Sequence, residues 1–155
     1  MEVHVLAIES SRPAWAKEAF DSYASRFNRT ININWKGIKP VKRTANSDTE
    51  TTIYKEGQLL LSAISNKGPI VSLDKSGKIF DTLGFKRQFE NWSGRSNEIN
   101  FLIGGPDGLS KECLQKSDEN WSLSNLTFPH AIVPVIVAEQ IYRIWSINQN
   151  HPYHR

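Results

Sequence analysis

The chain has one cysteine, Cys113, and one methionine, Met1, in 155 residues. A lone cysteine excludes an internal disulfide framework. The first residues show no basic, apolar leader, so with the single thiol a reducing, cytoplasmic setting is expected. No apolar run approaches the roughly 20 residues that span a bilayer. The sequence lacks a GxGxxG fingerprint and the Lys-Ser/Thr of a phosphate-binding loop, which disfavours a phosphate-cradling nucleotidase. It also lacks a G-x-S-x-G elbow, which disfavours a serine hydrolase. His151 and His154 have no cysteine or carboxylate cluster beside them, so no metal site is expected. There is no internal repeat and no low-complexity tract.

What is present fits one ordinary domain. At 17.6 kDa, with 39% hydrophobic and 23% charged residues, the chain is long enough for a real core and too short for two. A net charge of +3 and a pI near 9.0 suit an anionic partner, and suit many soluble enzymes equally well.

Hydrophobic periodicity divides the chain. Val3, Val5 and Ala7 alternate with their neighbours in a first strand over Glu2–Ile8. Pro13 suits a first helical turn, and Trp15, Ala19, Tyr23 and Phe27 recur every four residues as one core-facing stripe. Residues 31–35 alternate as a second strand, and the basic stretch 36–43 reads as a loop. Ser47-Asp48-Thr49-Glu50 is a capping-box pattern opening a helix to about Ile64, interrupted by Gly57. Residues 69–74 form a buried strand and 75–78 a turn. A helix is expected from about Thr82 to Trp92, a strand over 99–103, a short helix from Ser110, a strand around 121–124 and a final helix from about Ala131 to Asn148. Strands alternating with helices give an α/β fold, a mainly parallel sheet with helices on both faces.

Ligands bind such sheets beyond the carboxyl ends of their strands. Three of those ends hold suggestive residues. Leu73-Asp74 closes one strand. Gly104-Gly105-Pro106 follows another, and glycine there either lets a ligand approach the backbone or simply makes a tight turn. Leu123-Ser124-Asn125-Leu126-Thr127-Phe128 mixes apolar side chains with short polar groups. Such a loop can wrap an adenine, or serve as a connector whose Leu126 and Phe128 plug the core. Glu139 and Arg143, at i, i+4 spacing in an otherwise apolar segment, are either a surface pair or part of a site or interface. The chain ends His151-Pro152-Tyr153-His154-Arg155, groups that stack on bases and bind phosphates. Cys113 is expected to pack as a small apolar group.

Taken together, Leu73-Asp74, Leu102-Ile103-Gly104-Gly105-Pro106-Asp107-Gly108, Trp121-Ser122-Leu123-Ser124, Pro129-His130, Ala138-Glu139-Gln140-Ile141-Tyr142-Arg143 and the terminal His151-Pro152-Tyr153-His154-Arg155 closely resemble one family. It is the bacterial ribosomal RNA large subunit methyltransferase H family of the SPOUT superfamily. The resemblance implies a single domain over residues 1–155 with 151–155 as a functional tail, a deep C-terminal trefoil knot and a homodimer. It implies transfer of a methyl group from S-adenosylmethionine to N3 of a pseudouridine in a 23S rRNA stem-loop on the assembled ribosome. Cofactor positions carry over to Leu73, Gly104, Gly105, Leu123, Ser124, Asn125, Leu126, Thr127 and Phe128. Arg143, Tyr153, His154 and Arg155 are expected at the RNA. Arg155 suits stabilisation of a developing imide anion, Tyr153 suits stacking on the base or hydrogen-bonding it, and His154, His130 and Glu139 are three candidate proton acceptors. The competing readings are a non-catalytic RNA- or ribosome-binding protein and a SPOUT methyltransferase acting on tRNA.

Overall fold

The computed structural model describes residues 1–65 and 67–154. Five parallel strands, β1 (Glu2–Ile8), β2 (Asn32–Ile38), β3 (Ile70–Ile79), β4 (Glu98–Ile103) and β5 (Glu119–Ser122), form one sheet in the order β2-β1-β4-β3-β5. Five helices accompany them: α1 (Ala14–Ala24), α2 (Thr49–Ser62), α3 (Thr82–Ser93), α4 (Lys111–Lys116) and α5 (Val133–Asn148). A 3₁₀ turn, Pro152–His154, follows α5.

The alternation of strand side chains sorts the core into two layers. Val3, Val5, Ala7, Ile99, Phe101 and Ile103 face one way, against Phe20 of α1, Phe85 and Phe89 of α3, and Val137, Ile141 and Ile144 of α5. Leu6, Ile8 and Leu102 face the other way, against Leu60 of α2 and Leu109 and Cys113 near α4. Helices thus cover both faces, as a buried parallel sheet requires. Cys113 is fully buried and burial pushes its thiol pKa up, consistent with packing rather than reactivity.

Several local expectations are corrected. Trp15 is 53% exposed, and α1 turns Ala16 and Phe20 inward instead. A row of strictly every fourth residue drifts by about 40° per step around a helix of 3.6 residues per turn, so Trp15 has left the face that Phe27 completes. The basic stretch is not all loop: Lys36, Gly37 and Ile38 extend β2, paired with Leu6, Ala7 and Ile8 of β1. The α2 cap is Asp48, accepting from Thr51 N, rather than Ser47, whose hydroxyl accepts from Thr44 N. Gly57 has a packing reason, since a Cβ there would lie 2.2 Å from Ser110 Oγ, the cap of α4. Strand β3 runs past Asp74, but Leu73 and Lys78 both register with Trp121, so residues 74–77 bulge out. Strand β5 begins and ends two residues earlier than its alternation suggested, and α5 starts at Val133.

Candidate cofactor and active site

The bulge within β3, the carboxyl ends of β4 and β5 and the start of α5 enclose a cavity of about 520 Å³. The β3 bulge brings Asp74 and Lys75 to its edge beside Leu73, and Ile103 leads into Gly104-Gly105-Pro106-Asp107-Gly108 on another wall. Ser122, Leu123, Ser124, Leu126, Thr127 and Phe128 form a third side, with His130 and Val133 closing the fourth. Eight of the nine sequence-derived cofactor positions are therefore gathered here. Asn125 is exposed and does not line the cavity.

The glycine turn is built by backbone geometry. Gly108 N–H donates to Gly105 O at 3.0 Å, with Pro106 and Asp107 at the turn's centre. Gly108 has φ +86°, a conformation that favours glycine. A Cβ at Gly104 would lie 2.5 Å from the Gly108 carbonyl carbon, so this position admits no side chain. At Gly105 a Cβ would instead meet Glu56 Oε2 at 3.1 Å and Ile8 Cγ2 at 3.2 Å. That direction leads toward the protein interior, while Gly105 itself lines the cavity. On the opposite wall, Ser122 donates its hydroxyl to Ser124 O at 3.0 Å and Leu126 N donates to Ser124 Oγ at 3.0 Å. These bonds shape the loop and leave Leu126 72% exposed at the cavity. Leu126 therefore does not plug the core. An apolar side chain left uncovered beside glycine backbone, in a space of this size, suits a flat, mixed-polarity ligand.

One buried network was not foreseen. Glu56, only 2% exposed on α2, accepts from Arg43 Nη1 at 2.9 Å, Arg43 Nη2 at 3.2 Å and Val41 N at 3.0 Å. Arg43 also donates to Asp107 Oδ2 through Nη2 at 2.8 Å and Nε at 3.0 Å. Bonds to Glu56 first, then Asp107, raise the Arg43 pKa. The arginine thus clasps the glycine turn to α2, so it is no free cation for RNA. Of the basic stretch, Lys36, Lys39 and Lys42 remain exposed. Glu56→Ala is expected to destabilise the fold by about 2 kcal/mol, the scale for losing hydrogen bonds to a buried charged group. Chemical denaturation would measure this; an unchanged midpoint would show that the clasp is dispensable.

The C-terminal candidates gather elsewhere. Tyr153 packs on Tyr142 with ring centroids 4.7 Å apart, and its hydroxyl lies 3.1 Å from Glu139 Oε1 and 3.2 Å from the Tyr23 hydroxyl. Arg143 donates to Glu139 Oε1 at 2.9 and 2.5 Å and sits 5.1 Å above the Tyr153 ring. Burial and the Tyr23 contact push the Tyr153 phenol well above its usual range, keeping it protonated. Glu139, Arg143, Tyr153 and His154 do not line the cavity, whereas His130 does. His154 Nδ1 is buried with no hydrogen-bond partner among the described residues. Arg155 lies outside the described residues. Along α5 and its N-cap, Ile132, Ile136, Arg143 and Ile147 are only half-buried, a partly open stripe at helical spacing. Ile144 is 2% exposed and belongs to the chain's own core. Among the described residues no helix is long and apolar enough to cross a membrane, and no group of three His, Cys, Asp or Glu is placed to hold a metal.

Comparison with known proteins decides the family. Residues 1–154 match the family described as predicted SPOUT methyltransferase. The chain is 41% identical over 155 residues to ribosomal RNA large subunit methyltransferase H of Methylococcus capsulatus, covering 100% of both chains. It is 43% identical to the protein of that name from Coxiella burnetii, again over 100% of both. The chain belongs to the ribosomal RNA large subunit methyltransferase H family. A solved Bacillus anthracis structure proposed to be an RNA methyltransferase matches with a TM-score of 0.53, covering 97% of this chain and 96% of that one. At 14% identity it supports the SPOUT fold alone. Within this family member, the cavity at the β3 bulge and the ends of β4 and β5 is the candidate cofactor site.

Proposed function

We propose that the protein transfers a methyl group from S-adenosylmethionine to N3 of a pseudouridine in a 23S rRNA stem-loop, acting on the assembled ribosome in the cytoplasm as a homodimer. The observation that carries this reading is the convergence of Leu73, the Gly104 turn and the Leu123–Phe128 loop on one cavity with His130 in its wall. Backbone groups of the turn and loop would hold the cofactor, with Leu123, Leu126 and Phe128 against its apolar faces. The cofactor supplies an electrophilic methyl on a sulfonium. The trefoil threading implied by the resemblance belongs to the same proposal.

The reaction asks the chain for alignment and for charge handling. Transfer would form the N3–methyl bond as the sulfur–carbon bond gave way with its electron pair left on sulfur, and the N3 proton would have to be taken up by the chain. His130 is the acceptor supported by position, because it lines the cavity. Glu139 is already engaged by Arg143 and Tyr153. Arg155, always protonated, suits the negative charge that develops on the base carbonyls.

Since the tail cluster does not line this chain's own cavity, a second copy is the natural source of Arg155 and His154 at the site. The partly open α5 stripe is the surface proposed for that pairing. Ile136→Glu is expected to yield monomers that still bind S-adenosylmethionine but have lost methyl transfer. Ile144→Glu, by contrast, should fail to fold. Light scattering and calorimetry check both, and a wild-type monomer at micromolar concentration would remove the composite site.

A further inference from the structure

A second cavity, of about 310 Å³, opens beyond the carboxyl end of β1. Pro106 and His130 line both cavities, so the two are neighbours across the glycine turn. Pro13, Pro40, Pro106 and Pro129 give the second one flat, rigid walls. Its size suits one planar ring and its sugar rather than a peptide or a helix. Lys39 and Lys42, exposed on either side of Pro40, offer cations for the phosphates of an entering strand.

The wall also carries a prearranged carboxylate. Glu9 accepts from Arg12 Nε at 3.1 Å and Arg12 Nη2 at 2.6 Å, both on Oε1. Oε2 has no hydrogen bond among the described residues, although the side chain is only 16% exposed. The placement is built from beneath. A Cβ at Gly37 would lie 2.0 Å from Glu9 Oε1, so only glycine there leaves room for the carboxylate. Arg12 is fixed in turn, 3.8 Å above the Trp35 ring and donating to Trp35 O at 3.2 Å. A largely buried acceptor with one free oxygen calls for a donor.

We infer that this cavity receives the extruded target base and that Glu9 accepts a hydrogen bond from the base's N1–H. The inference rests on the pseudouridine reading above. Pseudouridine is joined to its ribose through C5, which leaves N1–H free as a donor. Uridine presents a C5–H at the equivalent place, and both isomers share the same N3 imide. A carboxylate acceptor therefore separates the two, because an unmatched buried polar group is costly. N1 and N3 flank the same C2 carbonyl, so a base held at N1 keeps N3 free for the wall shared with the cofactor cavity. Extrusion into such a pocket is how enzymes reach a base otherwise stacked in RNA. The Arg12 partner offsets the charge of Glu9, so the slot does not repel the strand.

The experiment compares methylation of ribosomes carrying pseudouridine at the target with ribosomes carrying uridine there, for wild type, Glu9→Gln and Glu9→Ala, with S-adenosylmethionine affinity measured in parallel. Wild type should favour pseudouridine in kcat/KM. Glu9→Ala should lose about 10- to 100-fold on pseudouridine, the worth of one hydrogen bond to a charged group, with the uridine rate and cofactor affinity nearly unchanged. Glu9→Gln, which keeps a weaker acceptor, should fall between. Equal loss on both substrates would assign Glu9 to the scaffold around Arg12 and Trp35, and a cofactor-binding loss would assign it to the first cavity; either overturns the inference. Should both variants misfold, the wild-type comparison still decides, since equal rates on the two ribosomes contradict an N1–H contact. A wild-type protein that binds cofactor yet methylates neither ribosome would sink the proposed function itself.

Discussion

Gly104→Ala is expected to abolish measurable S-adenosylmethionine binding and to lower stability. The added methyl would lie 2.5 Å from the Gly108 carbonyl carbon, 2.6 Å from its oxygen and 2.8 Å from Leu109 N. Those are backbone atoms, which cannot rotate aside as a flexible side chain can, so the turn must open and one cavity wall moves with it. Overpacking of this kind costs about 1–3 kcal/mol, which for a domain of this size lowers Tm by several degrees, on the order of 2–4 °C per kcal/mol. Gly105→Ala is the contrast. Its Cβ meets the end of Glu56 at 3.1 Å, so it should act mildly, through the Arg43 clasp. Calorimetry with thermal melts would read both, and a Gly104→Ala protein binding cofactor like wild type would show that the turn is no part of the site.

Arg155→Ala is the second large effect. Methyl transfer should fall by on the order of 100-fold, the usual cost of removing one preorganised stabiliser of developing negative charge. Cofactor affinity and thermal stability should stay close to wild type. Arg155→Lys should recover only part of the rate, because an ammonium lacks the planar fork. Truncating Tyr153-His154-Arg155 is a blunter test. Tyr153 packs on Tyr142 and contacts Glu139 and Tyr23, so its loss should cost stability as well as rate. Single-turnover kinetics on ribosomes would separate these, and an Arg155→Ala enzyme at the wild-type rate would move the anion-stabilising role elsewhere.

The parallel sheet and its helices were legible because strands such as 99–103 are apolar but for Asn100 and are bounded by turn residues. The three expected strand ends do converge, although Leu73-Asp74 opens a bulge within β3 rather than closing the strand. What escaped was set by partners distant in sequence. Trp15 shares the four-residue spacing of Phe27 but not its face, and only packing against the sheet shows which residues turn inward. Lys36, Gly37 and Ile38 carry no apolar alternation, yet β1 supplies a complete row of backbone partners. Glu56 reads as one more charge on an amphipathic helix, while its partners stand 13 and 15 residues earlier. Glu9 follows the first strand with nothing beside it in the sequence to mark it, and only the placement of Gly37 and Arg12 around it shows its cradle. A glycine in a basic stretch was the one local sign of that cradle.

The most direct measurement of the central claim is methyl transfer from labelled S-adenosylmethionine, with the wild-type protein offered intact ribosomes, free ribosomal subunits and bulk tRNA in separate reactions. The account predicts label in 23S rRNA of assembled ribosomes, confined on nuclease digestion to one N3-methylated pseudouridine. Label in tRNA, or cofactor binding with no transfer to any of the three, would contradict it.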